Sequence, residues 1–236
     1  RSHECICGDV KMDLKLDEVA SLLDVSEHTV LQWLKEGAIP SYSMNNEYRF
    51  SREEIENWLL HNQALMIQER GEDKEALKDL SLKYSLYKAI HRGGVLCDVV
   101  VHSKEEALQY ASKYIAQKFQ LDESVLFEML SHRENLMSTG IGEGIALPHA
   151  KDFLINAYYD IVVPMFLAEP IEYGALDGKP VGILFFLFAC QDKSHLNLVN
   201  KIVHLGMSLN ARSFFKNYPN KDQLLAYVKE WESQTH

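Results

Sequence analysis

The chain has 236 residues, 47% of them hydrophobic and 25% charged, enough for one large domain or two small ones with ordinary cores. Its formal net charge of -10 argues against broad, non-specific affinity for nucleic acid or anionic membrane, because both depend on Lys and Arg neutralising phosphates. The longest apolar run, Val181 to Cys190, is about half of a membrane span and no basic-then-apolar leader opens the chain, so a cytoplasmic protein without membrane insertion is expected.

Residues 1–11 hold His3, Cys5 and Cys7, a spacing that matches no downstream ligand pair, and they are expected to be a disordered terminal remnant. Together with Cys97 and Cys190 the cysteines form neither a metal knuckle nor a disulfide framework, so they read as reduced thiols. No metal and no cofactor are implied.

From Leu16 the chain reads LDEVASLL, a turn, and EHTVLQWLKEG, which predicts two short amphipathic helices with Ser26 as N-cap of the second and Gly37 as its stop. After Pro40, the residues Tyr42, Tyr48 and Phe50 are strand-like, and Asn45-Asn46 between them suits a hairpin turn. Ser51 with Glu54 has the form of a capping box before a third helix that carries Ile55, Trp58 and Leu59 on one stripe.

This unit, residues 12–62, resembles a winged helix-turn-helix of the excisionase or MerR type. The resemblance implies that the second helix reads the major groove and the wing touches phosphate. His28 and Gln32 are then candidates for base edges, Lys35 is the cation of that helix, and Arg49 and Arg52 are candidates for phosphate. Charge points the other way: between Lys11 and Asn62 there are five basic residues against ten acidic ones. Binding to DNA and binding to protein both stay open for this unit.

Residues 63–81 are charged throughout and predict a solvated linker. From residue 82 to 234 the pattern is that of a second, larger domain. SLYKAIHRGG predicts a helix stopped by Gly93-Gly94, and VLCDVVV a strand. Ser103 with Glu106 forms a capping box for a long helix through EEALQYASKYIAQKF, and another helix runs from about Ser124 to Glu134. IALPHA, DIVVPMFLA and VGILFFLFA then predict buried strands of one sheet, and HLNLVNKIVHLGMSL and DQLLAYVKEW closing helices. The fold class is therefore α/β, a mixed-sheet layered domain preceded by a small winged helix-turn-helix domain.

The stretch Ser131 to Ala150, SHRENLMSTGIGEGIALPHA, concentrates the chemistry. Gly140, Gly142 and Gly144 let the backbone turn closely and present amides to an anion, and His149 follows a strand and a proline. Neutral imidazole is a good nucleophile near pH 7, and its phosphoramidate can pass the group on. His91, His102, His132 and His204 lack such a context and read as surface or structural.

Arg133-Glu134, Ser138 to Gly142, Gly144 to Ala146, Leu147 and Pro148-His149 closely resemble the motif of the phosphotransferase system enzyme IIA component, mannitol/fructose class, including its nitrogen-regulatory branch. So does the turn Asp177-Gly178-Lys179-Pro180-Val181, and Ser194-His195-Leu196 supplies the second histidine that the family places at a helix start. The likeness spans about Leu82 to Trp231.

The resemblance implies an IIA type-2 phosphotransferase component with His149 as phosphoacceptor. His195 and Arg133 would stabilise the transferring group, with Ser138, Thr139 and the amides at Gly140, Gly142 and Gly144 as further phosphate contacts. It also implies an HPr-type phosphocarrier as donor and a downstream IIB or regulatory protein as acceptor. Two residues depart from the pattern: Glu143 puts a carboxylate beside the proposed anion site, and Ala150 replaces a usual glycine.

Three uses fit: a regulatory phosphocarrier that relays or signals, a transcriptional regulator whose IIA domain is the sensor, and a sugar-specific IIA component of a transporter. Each requires the His149 imidazole to be reachable and close to His195.

Overall fold

The computed structural model describes residues 13–23, 25–44, 47–62, 85–150 and 159–234. The chain divides into two compact units, Arg1–Asp73 and Lys74–His236. The terminal segment with His3, Cys5 and Cys7, the Asn45-Asn46 turn and the linker at 63–81 lie outside the described residues. Among the described residues no helix is long and apolar enough to cross a membrane.

In the first unit, α1 (Leu16–Leu23) and α2 (Glu27–Lys35) are followed by β1 (Tyr42–Met44), β2 (Glu47–Arg49) and α3 (Arg52–His61). Ser26 takes extended backbone angles and its Oγ accepts the Thr29 amide at 3.1 Å, so α2 starts where its cap predicts. Gly37, at φ 66°, ends it. The strands pair antiparallel with Tyr42 opposite Arg49, which makes the wing. Val19, Leu23, Val30, Ile55 and Leu59 close a small core in which the Trp33 and Trp58 rings lie 5.1 Å apart. The Ser51 capping box is not formed: Ser51 stands at the N-cap without a side-chain bond, and Glu54 instead accepts the Tyr42 hydroxyl at 2.7 Å. A hydroxyl from the wing competes for the carboxylate and ties α3 to β1.

In the second unit the order is α4 (Leu86–Gly93), β3 (Leu96–Val99), α5 (Lys104–Phe119), α6 (Glu123–Leu136), β4 (Gly140–Gly142), β5 (Ile145–Ala146), β6 (Ile161–Ile171) and β7 (Val181–Phe188). Three helices follow, α7 (Asp192–Met207), α8 (Leu209–Phe215) and α9 (Lys221–Gln234). The sheet order is β3-β6-β7-β5-β4, with β3/β6 and β5/β7 parallel and β6/β7 and β4/β5 antiparallel. The two long strands are central and buried because both faces are covered. Val163, Met165, Leu184 and Phe186 pack with Ala107, Leu108 and Ala111 of α5 and Leu126 and Leu130 of α6. Elsewhere in the core, Phe215 of α8 meets Phe166 of β6 and Phe185 of β7, each at 6.0 Å between ring centres.

The expected caps hold at Ser103, whose Oγ accepts the Glu106 amide at 3.1 Å, although Glu106 reaches back to the His102 amide rather than to Ser103. Two elements differ from the sequence expectation. The glycine-rich run contains a strand, β4. The helix read straight through Ser208 breaks there, because Ser208 is extended (ψ 125°) and its Oγ accepts the Ala211 amide to start α8.

Glu232, near the end of α9, caps the start of α4: its carboxylate accepts the Leu86 amide at 2.7 Å, the Tyr87 amide at 3.1 Å and the Ser85 hydroxyl at 2.9 Å, and pairs with Lys201 at 2.8 Å. Replacing it strands these donors, so Glu232→Ala is expected to lower stability by about 2–3 kcal/mol in urea unfolding; an unchanged midpoint would show that α4 needs no cap from α9. Gly93 ends α4 where a Cβ would lie 2.0 Å from the Val162 carbonyl oxygen. Backbone cannot yield as a side chain does, so Gly93→Ala should cost about 1–3 kcal/mol in the same assay.

Candidate functional site

His149 reaches its place through the backbone. The β4–β5 hairpin turns through positive φ at Gly142, Glu143 and Gly144 (90°, 54° and 80°). Its ends are held by the Leu147 amide on the Thr139 carbonyl at 2.9 Å. β5 pairs with β7 at Ile145↔Ile183 and Ala146↔Leu184, and after Leu147-Pro148 the same register resumes at His149↔Leu187. The Leu187 amide donates to the Pro148 carbonyl at 3.0 Å. The histidine is thus fixed to a central strand rather than carried on a loose loop.

Its ring is held at both nitrogens. Nδ1 lies 2.7 Å from the Leu147 carbonyl oxygen, and Arg133 Nε lies 3.2 Å from Nε2. A carbonyl only accepts and a guanidinium only donates, so the proton sits on Nδ1 and the lone pair on Nε2. The His195 ring stands edge-on to it, 5.2 Å between centroids. His149, Arg133 and His195 are therefore brought together.

The expected reachability is not what the structure has: the His149 ring is fully buried, with Arg133 at 8% and His195 at 6% exposure. The sequence reading required a reachable ring because a carrier must be met by its partner.

Arg133 is in the last turn of α6, and its NH1 donates to the Met137 carbonyl at 3.0 Å, so the helix end and the histidine share one guanidinium. The adjacent Glu134 is buried and satisfied: it accepts the Thr139 amide at 3.0 Å, the Thr139 hydroxyl and the Tyr173 hydroxyl at 3.0 Å, with Lys104 Nζ at 3.8 Å. Burial, and then the Glu134 charge, push the Tyr173 hydroxyl well above its ordinary pKa, which keeps it a donor. Glu134 was legible only as part of a motif. Its partners Tyr173 and Lys104 lie too far along the chain for any local pattern to join them.

On the other histidine's side, Asp160 accepts the Cys190 amide at 2.9 Å and the Ser194 hydroxyl at 2.6 Å, which fixes the first turn of α7 where His195 sits. Asp160 is a further positioning residue with no sequence mark of its own.

Three of the remaining phosphate candidates, Ser138, Thr139 and Gly140, are engaged in the hairpin. The Thr139 hydroxyl serves Glu134, and Ser138 Oγ accepts the Gly140 amide at 3.2 Å. Gly140 allows close approach to Ala175, where a Cβ would meet another at 2.6 Å. Beyond Gly142 the Glu143 amide donates to Asp177 at 2.8 Å, and the chain turns at Gly144. The unexpected carboxylate of Glu143 is neutralised locally by Lys179 at 2.8 Å and by Arg212. The Lys179 hydrogen bond, with help from the Arg212 charge, holds it below the usual carboxylate range.

In the first unit, His28, Gln32 and Lys35 are exposed and recur at helical spacing along one side of α2. The Gln32 amide donates to Glu36 at 3.0 Å. Arg49 pairs with Glu47 at 2.8 Å, and Arg52 lies 3.5 Å from Asp13.

Comparison with known proteins agrees with this geometry. Residues 89–231 match the family model described as "Phosphoenolpyruvate-dependent sugar phosphotransferase system, EIIA 2", and residues 14–63 match a "Helix-turn-helix domain" model. The chain is similar to the nitrogen regulatory protein of Pseudomonas aeruginosa, 32% identical over 139 residues that make up 58% of this chain and 89% of the relative. With that of Escherichia coli it shares 36% over 125 residues, 52% of this chain and 74% of the relative.

Among solved structures, nitrogen regulatory protein IIA-Ntr from Neisseria meningitidis superposes with a TM-score of 0.54 at 25% identity, over 58% of this chain and 94% of that one. A PTS IIA domain from Streptococcus pyogenes shares the fold, with a TM-score of 0.54 at 20% identity over 62% of this chain and 96% of that one. The family model covers more than half of the sequence and contains the histidine pair, so the chain belongs to the phosphotransferase system EIIA type 2 family, with nitrogen-regulatory homologues, and carries a helix-turn-helix domain ahead of that part.

Proposed function

We propose that this protein is a regulatory phosphocarrier: His149 accepts a phosphoryl group on Nε2 from an HPr-type phosphocarrier and either relays it to a IIB or regulatory protein or signals its own state. The observation that carries this reading is the tautomer, with Nδ1–H on the Leu147 carbonyl and the Nε2 lone pair facing Arg133 beside His195.

In the transfer, the Nε2 lone pair forms the new N–P bond as the donor's N–P bond breaks, and the electron pair of that bond returns to the donor imidazole. Nδ1 keeps its proton, and the positive character the ring acquires is stabilised by the Leu147 carbonyl dipole. Arg133 gives up Nε2 and takes phosphoryl oxygens, with His195 as the second donor. Charge spread over these groups is what lowers the barrier. Because the hydroxyls of Ser138 and Thr139 and the Gly140 amide are occupied in holding the hairpin, we assign the main charge-stabilising work to Arg133 and His195. The burial of Nε2 adds a step: transfer proceeds from a conformation that uncovers the ring, so its rate scales with the population of that conformation.

Incubation with radiolabelled phosphoenolpyruvate, the upstream kinase and its phosphocarrier should label the protein, and His149→Ala should abolish the label. Stable label at another residue would overturn the assignment. Arg133→Gln and His195→Gln should each slow labelling by about 10²–10³ while the fold is kept. NMR coupling between phosphorus and a nitrogen-labelled histidine should locate the group on Nε2.

The relatives' names favour regulation over sugar transport. For the output, the exposed row His28, Gln32 and Lys35 on α2 favours DNA as the ligand of the first unit. The full chain should then retard duplex DNA at low salt, with Lys35→Ala and Arg49→Ala each weakening retention. Absence of any retardation at low salt would leave the unit as a protein-binding module.

A further inference from the structure

A cavity of about 390 Å³ lies within the second unit, walled by Ile145, Ile183 and Phe215 and bordered by Arg212, Lys216 and Glu143. Neither His149 nor His195 lines it, so it stands apart from the phosphoryl site and its contents do not rest on the carrier reading. Its size is that of a small-molecule site, and its walls are apolar, which favours a ligand with a hydrocarbon or aromatic body.

The mouth has a definite charge logic. Arg212 uses NH1 on the Glu143 carboxylate, while its Nε is buried and among the described residues has no hydrogen-bond partner. A buried N–H of a guanidinium left without an acceptor is an unfilled demand, and the planar fork suits a second carboxylate-like group. Lys216 adds another cation at the border, against a single carboxylate. That carboxylate can be released from Arg212 without being stranded, because Glu143 also holds Lys179 at 2.8 Å. In a chain whose formal net charge is -10, a cavity bordered by two cations and one shared carboxylate is locally set for an anion.

We propose that this cavity binds a small organic monoanion, an acidic head on an apolar body, with the head on Arg212 and Lys216 and the body against Ile145, Ile183 and Phe215. Glu143 competes with the ligand for Arg212 and is the residue that sets affinity. A bare inorganic anion would leave the walls unfilled, and a polymer would not fit the volume.

The test is titration of the full, nitrogen-labelled chain with 4-phenylbutyrate, followed by NMR amide shifts. Saturable shifts at Ile145, Ile183 and Ser213 are expected at roughly millimolar concentrations or below. Glu143→Gln should tighten binding about three- to tenfold by removing the competitor, whereas Arg212→Gln should weaken it at least about tenfold. Lys216→Glu, at an exposed position that leaves the core intact, should also weaken it. The neutral analogue 4-phenylbutanol should bind more weakly than the acid. His149→Ala should bind as wild type does, which separates this proposal from the phosphocarrier reading. Non-saturable shifts, equal binding of acid and alcohol, or an unchanged affinity in all three charge variants would overturn it.

Discussion

A single backbone carbonyl, that of Leu147, decides which nitrogen of His149 keeps its lone pair. Two residues before the histidine on the same chain segment, it takes the Nδ1 proton and leaves Nε2 as the acceptor. That contact exists only because Pro148 and His149 continue the register of β5 along β7, and β5 is in place only because the glycine turn folds β4 back beside it. The tautomer is therefore a property of the sheet, and chemistry at the ring inherits the rigidity of the central strands.

Around this axis, buried charge is handled by division of labour. Arg133 and Glu134 are adjacent in sequence, yet the first serves the histidine and the α6 terminus while the second serves Thr139 and Tyr173. Splitting the pair lets each ion have several hydrogen bonds, which a simple Arg–Glu bridge would not provide. Asp160 does a comparable job at the start of α7, where it accepts from the Cys190 amide and the Ser194 hydroxyl next to His195.

Most of this was legible wherever the cause is local. Ser26 and Ser103 announce their helices because a cap needs only its own N–H three residues on. His149 and His195 were found through motifs, and their proximity follows from the fold those motifs imply. What escaped was decided between distant segments: Tyr42 drawing Glu54 away from its capping box, Tyr173 and Lys104 converging on Glu134, and Asp160 tying down Ser194. Ser208 was missed for another reason, since one serine both ends α7 and begins α8, and an apolar pattern continues across it. The glycine run was read for its freedom to turn, which is correct. Its amides were read as candidate anion contacts, and two of the hairpin's N–H groups, those of Gly140 and Glu143, donate to Ser138 and Asp177.

The strand order also bears on how the chain survives its own hydrophobicity. VGILFFLF, the most apolar segment, lies at the middle of the described sheet, and the borders are β3, four residues long, and β4, three residues long and mostly glycine. Short borders of this kind offer a neighbouring molecule little backbone to zip onto, so stacking into fibrils is blocked at the perimeter while the sticky interior stays sequestered.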